Sequence, residues 1–209
     1  MIVCSYDTRP QAAPEDSLGF FIAPFIYMPR ISGTAQFDGA MERIARLGLQ
    51  PLWQELQEIL TGFELLVEES RDANGGAAIR KFLDKRFKEA HGWTNKSSGG
   101  VDWTKCRTVD GVSLCLGVEI QFSARSDLLI VDVGHLRDDL IAGLIDVGIV
   151  VAPSNDLAVY LTDRVARFSD AVRAVERARA QDLPLMVVGL EHDGPGPALA
   201  KQKTRQGRG

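Results

Sequence analysis

No stretch of the sequence approaches the roughly 20 consecutive apolar residues that a membrane-crossing helix requires, so no transmembrane segment is expected. The opening residues, MIVCSYDTRP, lack the basic-then-apolar order of a signal peptide, and a cytoplasmic protein is the expectation. Cysteine is scarce. Cys4, Cys106 and Cys115 show no CxxC spacing and no histidine at zinc-finger spacing, and an odd number argues against a secreted disulfide framework, so reduced thiols are expected. Basic charge is not in excess either: 24 Lys+Arg against 28 Asp+Glu give a formal net charge of −4, and any nucleic-acid partner would have to be held by local patches. His91, His135 and His192 have no mutual metal spacing and read as surface or loop residues.

What is present is the composition of an ordinary globular protein, 45% hydrophobic and 25% charged over 209 residues, enough to bury one core. We read 1–195 as a single domain whose N-terminal part, to about residue 60, is helical, and 196–209 as a flexible basic tail. Residues 10–34 are rich in Pro, Gly and aromatics without a sustained period and read as irregular. Apolar spacing predicts helices over 37–47 and 51–60, a short strand at 63–67, and an amphipathic helix over 77–90 that follows Asn74-Gly75-Gly76. Arg80, Lys81, Lys85, Arg86 and Lys88 form a basic patch on that helix, opposite Ile79, Phe82, Leu83 and Phe87.

From Gly99 the period changes to two. VDWTKCR and VSLCLGVEIQF flank TVDG, and Asp110-Gly111 between β-rich runs signals a type I′ hairpin, which needs positive φ at both central residues. Such a turn pairs residues whose numbers share one sum: Val109 opposes Val112, Cys106 opposes Cys115, and Asp102 opposes Glu119. Gln121 follows Glu119 on the same face, while Val118, Ile120 and Phe122 fill the other. Beyond the hairpin come an apolar stretch at 128–132, a helix over 136–145, a buried strand at 147–151 closed by Pro153, a helix over 161–180 and a strand at 184–190. Ser154, Asn155 and Asp156 read as capping residues. The order of elements is mixed α/β.

Two directly opposed carboxylates repel each other, and a divalent cation would compensate them. Carboxylates with water and a substrate phosphate are the usual ligands of Mg²⁺. The structural alternative is that Lys105 or Arg107 neutralises the acids within a salt-bridged hairpin.

An aspartate, a hairpin, then Glu-x-Lys on an apolar strand is the signature of the PD-(D/E)XK nucleases. Here it stands as Asp102 with Glu119-Ile120-Gln121, glutamine in the lysine's place. With Gly75-Gly76 opening a helix that ends at Gly92-Trp93, and with Ile145-Asp146-Val147-Gly148-Ile149 and Pro153 beyond, the chain resembles the BglII and BstYI group of type II restriction endonucleases. The BamHI enzyme, which carries glutamate in that place, is a more distant likeness. In the BglII group the aspartate lies nearer the glutamate in sequence, as Asp110 does here. Asp110, however, is at the turn tip, about eight residues and roughly 27 Å of strand from Glu119, so geometry selects Asp102.

The resemblance implies a mixed central β-sheet with a catalytic β-hairpin flanked by helices. It further implies a homodimer that uses Mg²⁺ to hydrolyse phosphodiester bonds at a palindromic site in double-stranded DNA. Asp102, Glu119 and Gln121 would be catalytic, Gln121 orienting water through its amide. Asp102, Glu119 and Ile120 would bind the metal, and a further polar residue would come from Asn74, Glu69 or Glu89. Phosphate contacts are expected of Arg80, Lys81, Lys85 and Lys105. A repair or junction-resolving nuclease of the same fold, or a non-catalytic DNA-binding protein that retains it, are the competing readings.

Overall fold

Asp110 and Gly111 both adopt positive φ, 49° and 82°, the backbone that a two-residue type I′ loop demands. The register follows from the turn: Val109 pairs with Val112, Cys106 with Cys115, and Trp103 with Val118. The structure, a computed structural model, describes residues 2–5, 30–95, 100–122, 128–162 and 165–201, the first segment as backbone only.

Along the chain the elements are β1 (Ile2–Ser5), β2 (Arg30–Gln36), α1 (Ala40–Arg46), α2 (Gln50–Thr61), β3 (Leu66–Val67), α3 (Gly76–Glu89), β4 (Thr94–Asn95) and β5 (Trp103–Val109). They continue as β6 (Val112–Ile120), α4 (Leu129–Ile141), β7 (Val147–Pro153), α5 (Leu157–Tyr160), α6 (Phe168–Arg177), β8 (Leu185–Glu191) and β9 (Gly194–Pro195). Seven strands form one sheet in the order β1-β2-β8-β7-β6-β5-β4. Its centre, β6-β7-β8, is parallel, and the flanking pairs are antiparallel. A small parallel pair, β3 with β9, stands apart.

Both faces of the sheet are covered. Buried residues of α1, α2 and α3 pack on one face against Trp103, Val118, Ile120 and Phe122, while Leu129, Val133 and Leu136 of α4 and Ala171, Ala174 and Val175 of α6 close the other. This explains why β7 and β8 are buried at every position, as parallel strands between two helical layers must be.

Several boundaries differ from the sequence expectation. The stretches at 128–132 and 136–145 are one helix, α4, because Gly134 is tolerated inside it and the stop comes at Gly143 with φ 69°. The single helix expected over 161–180 is broken, and α6 starts where the Asp170 carboxylate accepts the Arg167 N–H. The N-terminal part is not helical throughout, since β2 pairs with β8 in the main sheet; residues 10–29 of the irregular segment lie outside the described residues. Residues 196–201, expected as the start of a flexible tail, are bound to the body. The Gly196 and Leu199 N–H groups donate to the Val67 carbonyl and Asn74 Oδ1 at 2.7 and 3.0 Å. The remainder, 202–209, lies outside the described residues. Cys106 and Cys115 are joined in a disulfide, their Cα atoms 4.0 Å apart, which corrects the expectation of reduced thiols. The hairpin register sets the two side chains face to face, as the turn predicts, and that proximity permits the bond.

Candidate active site

Asp102 immediately precedes β5 and Glu119 is the penultimate residue of β6, so the hairpin delivers both to the C-terminal end of the parallel strands. The Ile120 N–H donates to Asp102 Oδ2 at 2.9 Å. Glu119, only 3% exposed, lies beside Asp102, whose charge acts on its carboxyl.

The other oxygen of Asp102 is taken by Arg80. Its Nη2 donates to Asp102 Oδ1 at 2.8 Å, its Nη1 to the Ile120 carbonyl at 2.6 Å, and its Nε to Asp84 at 3.0 Å. A glycine makes this reach possible. A Cβ on Gly76 would lie 2.4 Å from the Phe122 carbonyl, so only glycine lets α3 begin against the end of β6. Arg80 then follows one turn later on the same helix face. Burial disfavours the guanidinium charge, but Asp102 and Asp84 outweigh it, and the Arg80 pKa lies above its ordinary value.

Helix α4 covers the Glu119 face with two more titratable groups, Asp132 and His135, one from each end of an i,i+3 pair. One ligand-capable atom from each of Glu119, Asp132 and His135 lies within 4.8 Å of the other two, and His135 Nδ1 stands 3.5 Å from Glu119 Oε1. Burial, then Asp102 and Asp132, push the Glu119 carboxyl up to about 11. Burial and Asp102 push Asp132 up to about 6. Glu119 Oε1, Asp132 Oδ2 and Gln121 Oε1 are buried without a hydrogen-bond partner among the described residues. Buried acceptors are almost always satisfied. Orphaned oxygens of three neighbouring side chains, beside carboxylates that resist ionisation, are what a divalent cation would relieve, so the residues fit a metal ion.

Asp102 and Glu119 are therefore brought together. Gln121 is 5% exposed, with its N–H donated to the Val151 carbonyl at 2.8 Å. The Ile120 carbonyl, expected at a metal, accepts Arg80 instead. Arg80, expected at DNA phosphate, is turned inward and spent on Asp102 and Asp84, because Gly76 seats α3 against β6. Lys105, expected likewise at phosphate, is bound to Glu55 at 2.6 Å and to the His91 carbonyl. Arg107 donates to the Gly48 carbonyl. Positions 105 and 107 alternate with 102, 104 and 106, so they project to the opposite face and cannot neutralise the acids. Lys81 and Lys85 are exposed. They line, with Lys88 and Lys201, a cleft of about 840 Å³.

Of the three candidates for an additional polar residue, Asn74 spends its amide on backbone groups of Glu68, Tyr160 and Leu199. Glu69 accepts from His192, and Glu89 pairs with Lys85. None of these contacts is with Asp102 or Glu119. The residues that do join them are Arg80, expected only as a phosphate contact, and Asp132 and His135, which were missed as site members. Asp-x-x-His at helical spacing was the available signal for α4, and dividing that helix in two hid it. His192, read as a surface or loop residue, is 8% exposed. The capping expectation at 154–156 is met by Ser154 Oγ accepting the Leu157 N–H at 2.9 Å and by Asn155 Oδ1 accepting the Ser169 N–H at 3.2 Å.

The sequence model of the family described as Restriction endonuclease BglII/BglIII matches residues 33–190, about three quarters of the chain. No curated protein matches the chain at a significant level.

Proposed function

Because the chain belongs to the BglII/BglIII restriction endonuclease family, we propose that it is a type II enzyme that cuts a palindromic site in duplex DNA as a homodimer, using Mg²⁺. The observation that carries this reading is buried Glu119 beside half-buried Asp102, with Glu119 Oε1 left without a hydrogen-bond partner among the described residues. A bound divalent ion would neutralise charge on the scissile phosphate and acidify the attacking water. Glu119 would anchor it, with Asp102 and the Ile120 carbonyl, both bound to Arg80, beside it.

Gln121 cannot carry charge at the place where the wider nuclease group has lysine. Its Oε1, without a hydrogen-bond partner among the described residues, accepts a hydrogen bond from water and so orients the attacking oxygen without acting as a base. Arg80 holds Asp102 against β6, keeping the carboxylate in register with Glu119. Lys81, Lys85 and Lys88 take phosphates along the α3 cleft. Lys201 borders both this cleft and a second one of about 1040 Å³ lined by Arg71, Arg167 and Arg173, and the DNA backbone tracks through both. No helix among the described residues is long and apolar enough to cross a membrane, and the proposed place of action is the cytoplasm.

The test is digestion of plasmid DNA with Mg²⁺ present. Wild type yields discrete fragments, and Glu119→Ala yields none while still retarding DNA in a gel. If neither protein cuts and both bind, the nuclease reading fails. A smear, or cutting confined to branched DNA, would instead fit a repair or junction-resolving nuclease.

A further inference from the structure

We infer that the cation of this site is held from the α4 side, by Glu119, Asp132 and His135, while the Arg80 guanidinium stands as a fixed positive charge on Asp102 and Ile120. The inference rests on the metal-dependent nuclease reading and deepens it by assigning the ligands.

The first ground is occupancy by protein. Both Asp102 oxygens already accept, one from Arg80 Nη2 and one from the Ile120 N–H, and the Ile120 carbonyl accepts Arg80 Nη1. A cation placed between Asp102 and Ile120 would have to evict a guanidinium that three acceptor groups hold. The second ground is vacancy of donors on the other side. Glu119 Oε1 and Asp132 Oδ2 are buried acceptors with no hydrogen-bond partner among the described residues, and Glu119 is almost wholly buried. The third is spacing. In an octahedron with ligands at about 2.1 Å, neighbouring ligand atoms are about 3 Å apart and opposite ones about 4.2 Å. His135 Nδ1 to Glu119 Oε1 is 3.5 Å, and the three residues offer atoms mutually within 4.8 Å. Asp132 and His135 are three apart on one helix, so α4 presents both from one face.

The donor set has a chemical consequence. Two carboxylates and an imidazole are a mixed oxygen and nitrogen site, whereas Mg²⁺ favours oxygen alone, and imidazole suits first-row transition ions. This site should therefore prefer Mn²⁺ to Mg²⁺ by more than an all-oxygen site would, and the nitrogen of His135 should be directly visible on the bound ion.

The experiment is Mn²⁺ binding to the metal-free full chain without DNA, followed by electron paramagnetic resonance, with pulsed detection of ¹⁴N coupling. Wild type is expected to show a ¹⁴N coupling from a directly bound imidazole. His135→Gln should remove that coupling and weaken Mn²⁺ roughly 10–100-fold, with Asp132→Asn weakening it comparably. The wild-type coupling needs no variant to fold, and far-ultraviolet circular dichroism checks the variants. If Mn²⁺ binds tightly without ¹⁴N coupling, or the coupling survives in His135→Gln, the α4 assignment is overturned. Loss of binding in Asp102→Asn and Glu119→Gln, with His135→Gln and Asp132→Asn unaffected, would overturn it too and leave the nuclease reading standing. No Mn²⁺ binding in wild type, or binding indifferent to all four substitutions, would overturn both.

Discussion

Two glutamates close adjacent regions of the same sheet, Glu119 on β6 and Glu191 on β8, and they are buried alike, at 3% and 7% exposure. Their surroundings are opposite. Glu191 Oε2 accepts from Ser154 Oγ, and its Oε1 accepts from the His192 N–H at 3.0 Å and from the imidazole Nδ1. His192 Nε2 in turn reaches Glu69 at 3.0 Å, with Tyr160 packed edge-on against the ring. Burial raises the Glu191 pKa, but the hydrogen bonds from His192 and Ser154 outweigh it and hold the group below its usual value. Glu119 has carboxylates for neighbours and an oxygen with no hydrogen-bond donor among the described residues, and it is pushed up to about 11. Burial by itself does not mark a functional acid. The supply of donors separates an anchored carboxylate from one that fits a cation.

The comparison breaks most sharply at Glu119. Glu119→Gln should lower Mg²⁺-dependent cleavage at least about a thousandfold, measured in single-turnover digests, because an anchor of the ion is lost. The same substitution should raise the melting temperature of the metal-free protein at pH 8. A carboxyl whose folded pKa is raised binds its proton more tightly when folded, so stability falls as pH rises from about 4.5 toward 11, and glutamine escapes that fall. A lower melting temperature for the variant would mean that the Glu119 environment is satisfied after all.

Glu191→Ala should act in the other direction. It strands His192 and Ser154, costs about 3 kcal/mol, and lowers the melting temperature by roughly 6–12 °C for a chain of this size. Cleavage by the folded fraction at low temperature should be much less affected.

The pH dependence of that anchor has two signs. The depressed Glu191 contributes stability above its usual 4.5, lost as pH falls through the folded value. Burial lowers the His192 pKa, but Glu191 and Glu69 raise it further, so the net shift is upward. The imidazolium contributes below its usual 6.5, a contribution lost as pH rises through the folded value. Urea midpoints should therefore peak between about pH 4.5 and 6.5, and Glu191→Gln should flatten both limbs. Glu119→Gln should level only the alkaline fall, and flattening of the acid limb by it would erase the distinction between the two ends of the sheet.

The smallest effect belongs to the surface. Replacing Lys81 or Lys85 with alanine should weaken DNA binding evenly across sequences and reduce the slope of log affinity against log salt by about 1 each. Substituting the inward-turned Lys105 should leave that slope unchanged.

Local chemistry made much of the hairpin legible. Asp110-Gly111 dictates its turn, the turn dictates a register, and alternation along VSLCLGVEIQF separates Glu119 from Val118 and Ile120. The same alternation, followed along WTKCR, also assigns Lys105 to the face away from Asp102, a step the charge pattern obscured. Periodicity told which positions of α3 and α4 are apolar, and it carried no information on which strand end each helix would meet.

What the sequence by itself determined, then, is that an aspartate and a glutamate stand opposite each other across a two-residue turn, because turn geometry and strand pleat are local. Only the tertiary structure decided what surrounds that pair. Arg80 reaches it because Gly76 lets α3 close on the Phe122 carbonyl, and Asp132 with His135 reach it because α4 packs on the other face of the sheet. Those neighbours depend on the rotation and approach of whole helices, which no spacing in the chain records.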